Sequence, residues 1–237
     1  LHIRRYTIKG AKVRAKIAVV ADLHSQLPRT LLKKLQKEQP DFILLPGDII
    51  DDRRDEEPAF AFLKGAAQIA PTYYVVGNHE VWTNELPRLK EQVQALGVIW
   101  LDNRFETCTV NGEHFVIAGV EDPYHHTNWD ITASMETAFS NLPDGYKILL
   151  AHRPEQYHKY EGFGFDLVVS GHAHGGQWRI PYLLNGLYAP HQGLFPKRAG
   201  GMYQNGTMYH MVSRGIYYNY LMRIFNPPEF SIITLTP

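Results

Sequence analysis

Five short apolar runs in this chain each end, within a few residues, in Asp, Asn or His. Residues 17–20 lead to Asp22 and His24, 42–45 to Asp48, 73–76 to Asn78 and His79, 148–150 to His152, and 167–169 to His172 and His174. Carboxylates, an amide oxygen and imidazoles, with no thiolate among them, form a ligand set for hard to borderline divalent ions. Five of the 12 His fall at such positions, a clustering that surface decoration explains poorly. The donors outnumber what one four- to six-coordinate ion needs. Two ions about 3.5–4 Å apart, sharing a carboxylate, fit better.

These groups must be brought together by the elements that carry them. In open α/β sheets the ligand crevice lies beyond the carboxyl ends of the strands, which is where all five runs deliver their polar residues. The stretch 168–176, VVSGHAHGG, reads as an extended strand ending in a bend. Period-2 geometry would put His172 and His174 on one side of its backbone. Other strands are expected at 3–8 (an edge strand), 98–101, 106–110, 113–120, 206–213 and 229–234, with a tight hairpin at Asn111-Gly112. Helices are expected from Pro28 to Pro40, over 57–69, after Asn84 as N-cap, and over 131–140. Segment 182–203 is rich in Gly, Pro and aromatics and carries no clear periodicity. Strands alternating with helices, with some consecutive strands, predict an α/β or α+β layered sandwich. No repeat, heptad or low-complexity tract interrupts it, so one domain over 1–237 is expected.

Bulk composition narrows the partners. Lys+Arg 24 balances Asp+Glu 24, so no global charge draws the chain to nucleic acid. The lone Cys108 rules out an internal disulfide and any Cys-based metal cluster. No apolar run approaches the roughly 18 residues of a membrane span. The first residue is Leu1, consistent with an upstream signal or anchor that was processed or omitted. The expected location is cytoplasmic or membrane-associated. His79-Glu80-Val81-Trp82-Thr83 lacks the second His of a zinc-protease helix, and no G-x-S-x-G or Walker loop occurs.

Taken together and in order, Asp22-x-His24, Gly47-Asp48-x-x-Asp51, Gly77-Asn78-His79-Glu80, the isolated His152 and Gly171-His172-x-His174 resemble the five motifs of the calcineurin-like metallophosphoesterases. The tail resembles a bacterial branch of that superfamily that includes phospholipid-type and nucleotide-sugar-lipid phosphodiesterases. That closer match rests on Gly175-Gly176-Gln177, Leu187-Tyr188-Ala189-Pro190, Gly193-Leu194-Phe195-Pro196-Lys197, Val212-Ser213-Arg214-Gly215 and Pro228-Glu229. The resemblance implies a two-sheet β-sandwich flanked by helices. It also implies two divalent ions, drawn from Mn, Zn, Fe or Ni. Asp22, His24, Asp48 and His174 would hold one ion, and Asp48, Asn78, His152 and His172 the other, with Asp48 bridging. A hydroxide between the metals would attack phosphorus in line, and His79 would protonate the leaving oxygen or stabilise its charge. This chain departs from the branch at 216–222, Ile-Tyr-Tyr-Asn-Tyr-Leu-Met, where the branch is small and polar with a later Pro, a departure that bears on substrate specificity and not on the metal ligands.

For the residues around this set two readings stand side by side. Asp51 and Glu80 either orient His ligands or serve structure or surface. Arg214 either clamps a phosphate or pairs with an acid such as Glu229. His125 and His126 are placed at the surface or pocket rim, in a loop with Asn128, and His191 near the cleft. Tyr217, Tyr218 and Tyr220 would form an apolar wall or pack. The run Asp51, Asp52, Arg53, Arg54, Asp55 reads as a solvated loop. The function expected is hydrolysis of a phosphodiester or pyrophosphate bond in a small-molecule or lipid-linked substrate, with a membrane surface as a further partner. The rivals are a broad phosphomonoesterase and a catalytically silent metal-binding scaffold.

Overall fold

The computed structural model describes residues 1–125, 130–217 and 223–237. His126, Asn128, Tyr218 and Tyr220 lie outside them. One six-stranded sheet is built from β1 (His2–Lys9), β2 (Ala15–Val19), β3 (Phe42–Pro46), β4 (Thr72–Val75), β5 (Ile99–Trp100) and β14 (Glu229–Thr236), in the order β1-β14-β2-β3-β4-β5. The second contains β6 (Arg104–Val110), β7 (Glu113–Val120), β8 (Tyr146–Ala151), β9 (Leu167–Ser170), β12 (Gly201–Asn205) and β13 (Met208–Val212), in the order β12-β13-β9-β8-β7-β6. A two-stranded ribbon, β10 (Tyr188–Ala189) with β11 (Gly193–Leu194), stands apart from both. The helices are α1 (Leu31–Glu38), α2 (Glu57–Ile69), α3 (Asn78–Trp82), α4 (Leu86–Ala95), α5 (Thr132–Phe139) and α6 (Tyr157–Tyr160).

The two sheets face each other, and their central strands read as almost continuous apolar runs because both faces are covered, whereas the edge strands β1, β6 and β12 are partly exposed. Ile17, Val19, Phe42, Leu44, Tyr73 and Val75 point from the first sheet into the space between the sheets, against Phe115, Ile117, Ile148, Leu150, Leu167 and Val169 of the second. The alternate residues Ala18, Ile43, Leu45 and Tyr74 pack outward onto helices through Leu31, Leu35, Phe62, Leu63, Leu89 and Val93. On the far side Ala118, Leu149, Ala151 and Val168 meet Met135 and Phe139 of α5. Period-2 alternation therefore distributes one apolar sequence between two layers. Strands β2, β3, β4 and β5 are parallel, as are β7, β8, β9 and β13, so their carboxyl ends gather at one edge of the sandwich.

Several sequence expectations are adjusted by these packing demands. The first helix begins at Leu31 rather than Pro28, because Pro28 spends its carbonyl on a turn that accepts from the Leu31 N–H. Asn84 does not cap α4; it takes a left-handed conformation (φ 57°) in the sharp link from α3, and Glu85 stands at the N-cap. Gly206 is the turn of a β12–β13 hairpin instead of the start of a strand, and β12 begins within the stretch 182–203 that showed no periodicity and runs two residues beyond it. The strand at 168–176 stops at Ser170. Beyond it His172 and His174 both adopt left-handed backbone (φ 66° and 47°), so extended period-2 geometry does not govern where their rings go.

Candidate metal centre

The five strand ends expected to converge do so. Asp22, His24 and Asp48 share the left-handed conformation of His172 and His174, with φ between 47° and 66°. Such backbone costs about 1–2 kcal/mol per non-glycine residue. Its clustering here turns five side chains inward from strand ends at once. Gly77 shows how tightly the loops close: a Cβ there would collide with Oδ1 of Asp48, and would lie 2.8 Å from the Asp48 nitrogen and from Cε1 of His152. Glu80, fully buried, holds the same turn by accepting from the backbone N–H groups of Asp48 (3.0 Å), Ile50 (2.8 Å) and Gly77 (2.7 Å). Its carboxylate orients main chain, not a His ring.

Two donor clusters result. In the first, Nδ1–H of His152 donates to the Pro46 carbonyl (2.8 Å), which leaves Nε2 as the lone pair. That Nε2 lies 3.2 Å from Oδ2 of Asp48, 3.2 Å from Oδ1 of Asn78 and 3.2 Å from Nδ1 of His172. Ligands about 2.0–2.2 Å from a common ion sit about 3–3.4 Å from one another. In the second, Nδ1–H of His24 donates to Oδ2 of Asp51 (3.0 Å), and the His172 N–H donates to Oδ1 of Asp22 (2.8 Å). The remaining atoms, Nε2 of His24, Oδ2 of Asp22 and Nδ1 of His174, are buried and have no hydrogen-bond partner among the described residues. Asp22, His24, Asp48 and His174 offer ligand atoms within 4.8 Å of one another, and so do Asp48, His152 and His172. Buried, convergent acceptors of this kind are costly unless a cation satisfies them, so the residues fit divalent ions.

Electrostatics agree with that need. Burial pushes Asp22 up to about 6, partly offset by His152, while burial and then neighbouring cations hold His172 and His174 well below the ordinary His range. For His152 burial works against the charged form, yet Asp48 and then Asp22 prevail and raise it to about 10. His24 is likewise raised: its burial is outweighed by Asp51, Asp48 and Asp22. In the metal-free centre the neighbouring carboxylates thus favour a second proton on His152, at the Nε2 that would otherwise be the lone pair. Metal loading must displace it, and because the raised group deprotonates only as pH climbs towards about 10, metal affinity should increase with pH across that range. Calorimetric titration of Mn²⁺ near pH 7.5, in buffers of different ionisation enthalpy, should register net proton release. Heats independent of the buffer would contradict this.

Around the two clusters the structure brings in further residues. The run 51–55 is a loop solvated only in part: Arg53 and Asp55 are exposed, but Asp52 accepts from Nδ1 of His79 (2.6 Å), Asp51 lies 3.5 Å from the same nitrogen, and the Asp55 carboxylate accepts from the Glu57 N–H at the start of α2. The His79 side chain is 22% exposed, against 1% for His24 and 0% for His152, so it is the imidazole at the cleft surface. Tyr217 covers the other side, its ring 4.3 Å from His24, with the Arg54 guanidinium 4.9 Å from the ring centroid. Arg153, next to His152 in sequence and buried, pairs with Asp122 (2.8 Å) and reaches Nδ1 of His191 at 3.1 Å. His191 stacks on His172, its Nδ1 3.3 Å from Nε2 of His172. Glu155, His172 and His191 also form a ligand-like group, but the Arg153 guanidinium already lies 3.4 Å from Glu155 and fills the role of cation there. Arg214 pairs with the buried Glu229 (3.3 Å) instead of reaching the cleft, and His125 pairs with Glu121 at the surface. Adjacency to the candidate ligand His152 was the one available signal for Arg153, and the charge run 51–55 the one for Asp52; His191 was expected near the cleft, and its ring stacks on His172.

Residues 15–176 match the family model described as calcineurin-like phosphoesterase. The chain is 32% identical to the uncharacterized metallophosphoesterase YkoQ of Bacillus subtilis over 186 residues, 73% of this chain and 67% of that protein. It is 29% identical to the phosphodiesterase YaeI of Escherichia coli, over 93% of this chain and 82% of the relative. Among solved structures, TT1561 of Thermus thermophilus superposes with a TM-score of 0.57 at 16% identity, covering 86% and 90% of the two chains. The Haemophilus influenzae NAD nucleotidase gives 0.55 at 18% identity, and this chain covers 86% of itself but only 45% of that enzyme.

Proposed function

The chain belongs to the calcineurin-like phosphoesterase family of metal-dependent phosphoester hydrolases, and from that premise we propose that it hydrolyses a phosphodiester or pyrophosphate bond in a lipid- or nucleotide-linked substrate. The observation that carries this reading is the Asp48 carboxylate, which lies within reach of both donor clusters. Asp22, His24, Asp48 and His174 would hold one ion, and Asp48, Asn78, His152 and His172 the other, with Mn, Zn, Fe or Ni as candidates. Bound divalent ions make water nucleophilic near neutral pH and neutralise charge that builds on the phosphoryl oxygens.

The protein's own groups do the rest. Asp51 fixes the His24 tautomer through Nδ1–H, and Pro46 does the same for His152, so each ring presents Nε2 to the centre. His79, held through Nδ1 by Asp52, keeps Nε2 for a proton and donates it to the leaving oxygen. Tyr217 on one side and His191 on the other border the space for the substrate's organic part. The phosphodiesterase name of the YaeI relative favours a diester over a monoester.

The test is turnover of soluble aryl phosphodiesters and monoesters by protein loaded with Mn²⁺, Zn²⁺ or Ni²⁺. Diester hydrolysis exceeding monoester hydrolysis, and abolished by chelation, is expected. Preference for the monoester would make the protein a phosphomonoesterase. A metal-loaded protein without turnover on either would be a scaffold.

A further inference from the structure

Eight of the nine large hydrophobic residues exposed among the described residues fall between Trp178 and Phe225. They include Ile180 (47% exposed), Leu183 (81%), Leu194 (66%), Phe195 (67%) and Phe225 (68%). Single exposed apolar side chains need no explanation, but a gathered set does. Backbone hydrogen bonds tie this set into one ribbon: Arg179 N–H donates to the Ile224 carbonyl (3.0 Å), Leu187 N–H to that of Trp178 (2.9 Å), and Phe195 N–H to that of Leu187 (2.8 Å). Leu184 closes a turn onto Ile180 at 2.8 Å. The ribbon is rooted beside the metal centre at both ends, since it leaves directly after His174 and returns at Asn226, whose side-chain N–H donates to the His174 carbonyl (2.7 Å), while His191 in its middle touches His172.

Its charge is as one-sided as its hydrophobicity. Residues 167–228 contain no Asp or Glu and five basic residues, Arg179, Lys197, Arg198, Arg214 and Arg223, while the remainder of the chain carries 19 basic against 24 acidic. Arg214 and Arg198 are buried, but Lys197 is exposed and Arg179 half-buried, on either side of the apolar tips. Aromatic and aliphatic side chains flanked by cations, in a segment that itself carries no acid, suit the interface of an anionic bilayer. A two-fold contact with a second copy would set these cations against themselves, because the same patch meets itself in such a dimer.

We propose that this ribbon docks the protein onto an anionic lipid surface, which brings the metal centre to substrates held in the membrane. The docking itself is independent of turnover; delivery of substrate rests on the phosphoesterase reading, and separate readouts distinguish them. The full chain is sedimented with vesicles of phosphatidylglycerol and phosphatidylcholine, and with vesicles of phosphatidylcholine alone. Partition into the anionic vesicles should be at least about tenfold stronger and should weaken as salt is raised. The double variant Leu183→Asp, Phe195→Asp should lose at least about tenfold in partition, with turnover of a soluble aryl phosphodiester unchanged. Arg179→Gln with Lys197→Gln should erase the anionic preference. Absence of partition, equal partition of wild type and the Asp variant, or a dimer in sedimentation equilibrium that Leu183→Asp dissociates would each overturn the proposal. Failure of the soluble-substrate assay alone would overturn the hydrolase reading and leave the docking intact.

Discussion

Replacing Asp48 with Ala should strip both ions from the centre and lower turnover by more than the roughly 10–100-fold typical of groups that only orient ligands. Oδ2 of Asp48 lies 3.2 Å from Nε2 of His152 and 3.6 Å from Nε2 of His24, one imidazole from each cluster. Oδ1 accepts from the His79 N–H at 3.0 Å, so the same carboxylate also fastens the start of α3. Burial opposes its charge, but His152 and then His24 and His79 hold the carboxyl well below the ordinary range, and it is present as the anion at any pH where the protein would work. Asn78→Ala, by contrast, removes a donor from one cluster only. Elemental analysis should find close to no metal in the Asp48 variant and about one retained ion in the Asn78 variant, an expectation that follows from a bridging carboxylate. An Asp48→Ala protein that holds two ions normally would end the bridging assignment. Asp48→Asn, which keeps the shape, separates loss of metal from loss of fold when its unfolding temperature is compared.

His79→Ala should lower turnover by about 10²–10⁴, the range for a positioned general acid, with metal content near two per chain. The reasoning is geometric. His79 is the imidazole at the cleft surface, its Nδ1 is taken by Asp52 at 2.6 Å, and its ring lies edge-on to His24 with centroids 4.4 Å apart. The loss should be largest for diesters with poor leaving groups, such as alkoxides, and should shrink for nitrophenolate, which departs without a proton. Asp52→Asn should reproduce part of the effect by loosening the tautomer. If the His79 variant loses both ions, His79 is a ligand. If its loss is the same for good and poor leaving groups, the ring does not carry the proton.

The strand ends were legible because the information is local. A run such as 42–45 is apolar at every position since layers cover both faces, and its carboxyl end is marked by Pro46-Gly47-Asp48. The helix at 57–69 and the strand at 113–120 were expected with the bounds the structure gives, one from its spacing and one from its Asn111-Gly112 hairpin. The hairpin β12 was not legible, because its residues are only partly buried and carry no alternation. Glu80 read either as an orienting group for a His or as a structural or surface residue; the structure gives it main-chain N–H partners that no side-chain pattern announces.

The stretch 168–176 marks the division most sharply. From the sequence alone came the ligand types, their order along the chain, the metal chemistry and the edge of the sandwich at which they meet. These depend on residue type and on neighbours a few positions away. The family resemblance implied that His172 sits with His152 and His174 with His24; only the tertiary structure decided that His191 stacks on His172, that Asp52 holds His79, and that an exposed basic apolar ribbon leaves the centre. Left-handed backbone at five candidate ligand residues and contacts between residues far apart in the chain set those outcomes. Neither follows from periodicity, because both depend on how the loops of two facing sheets close over one another.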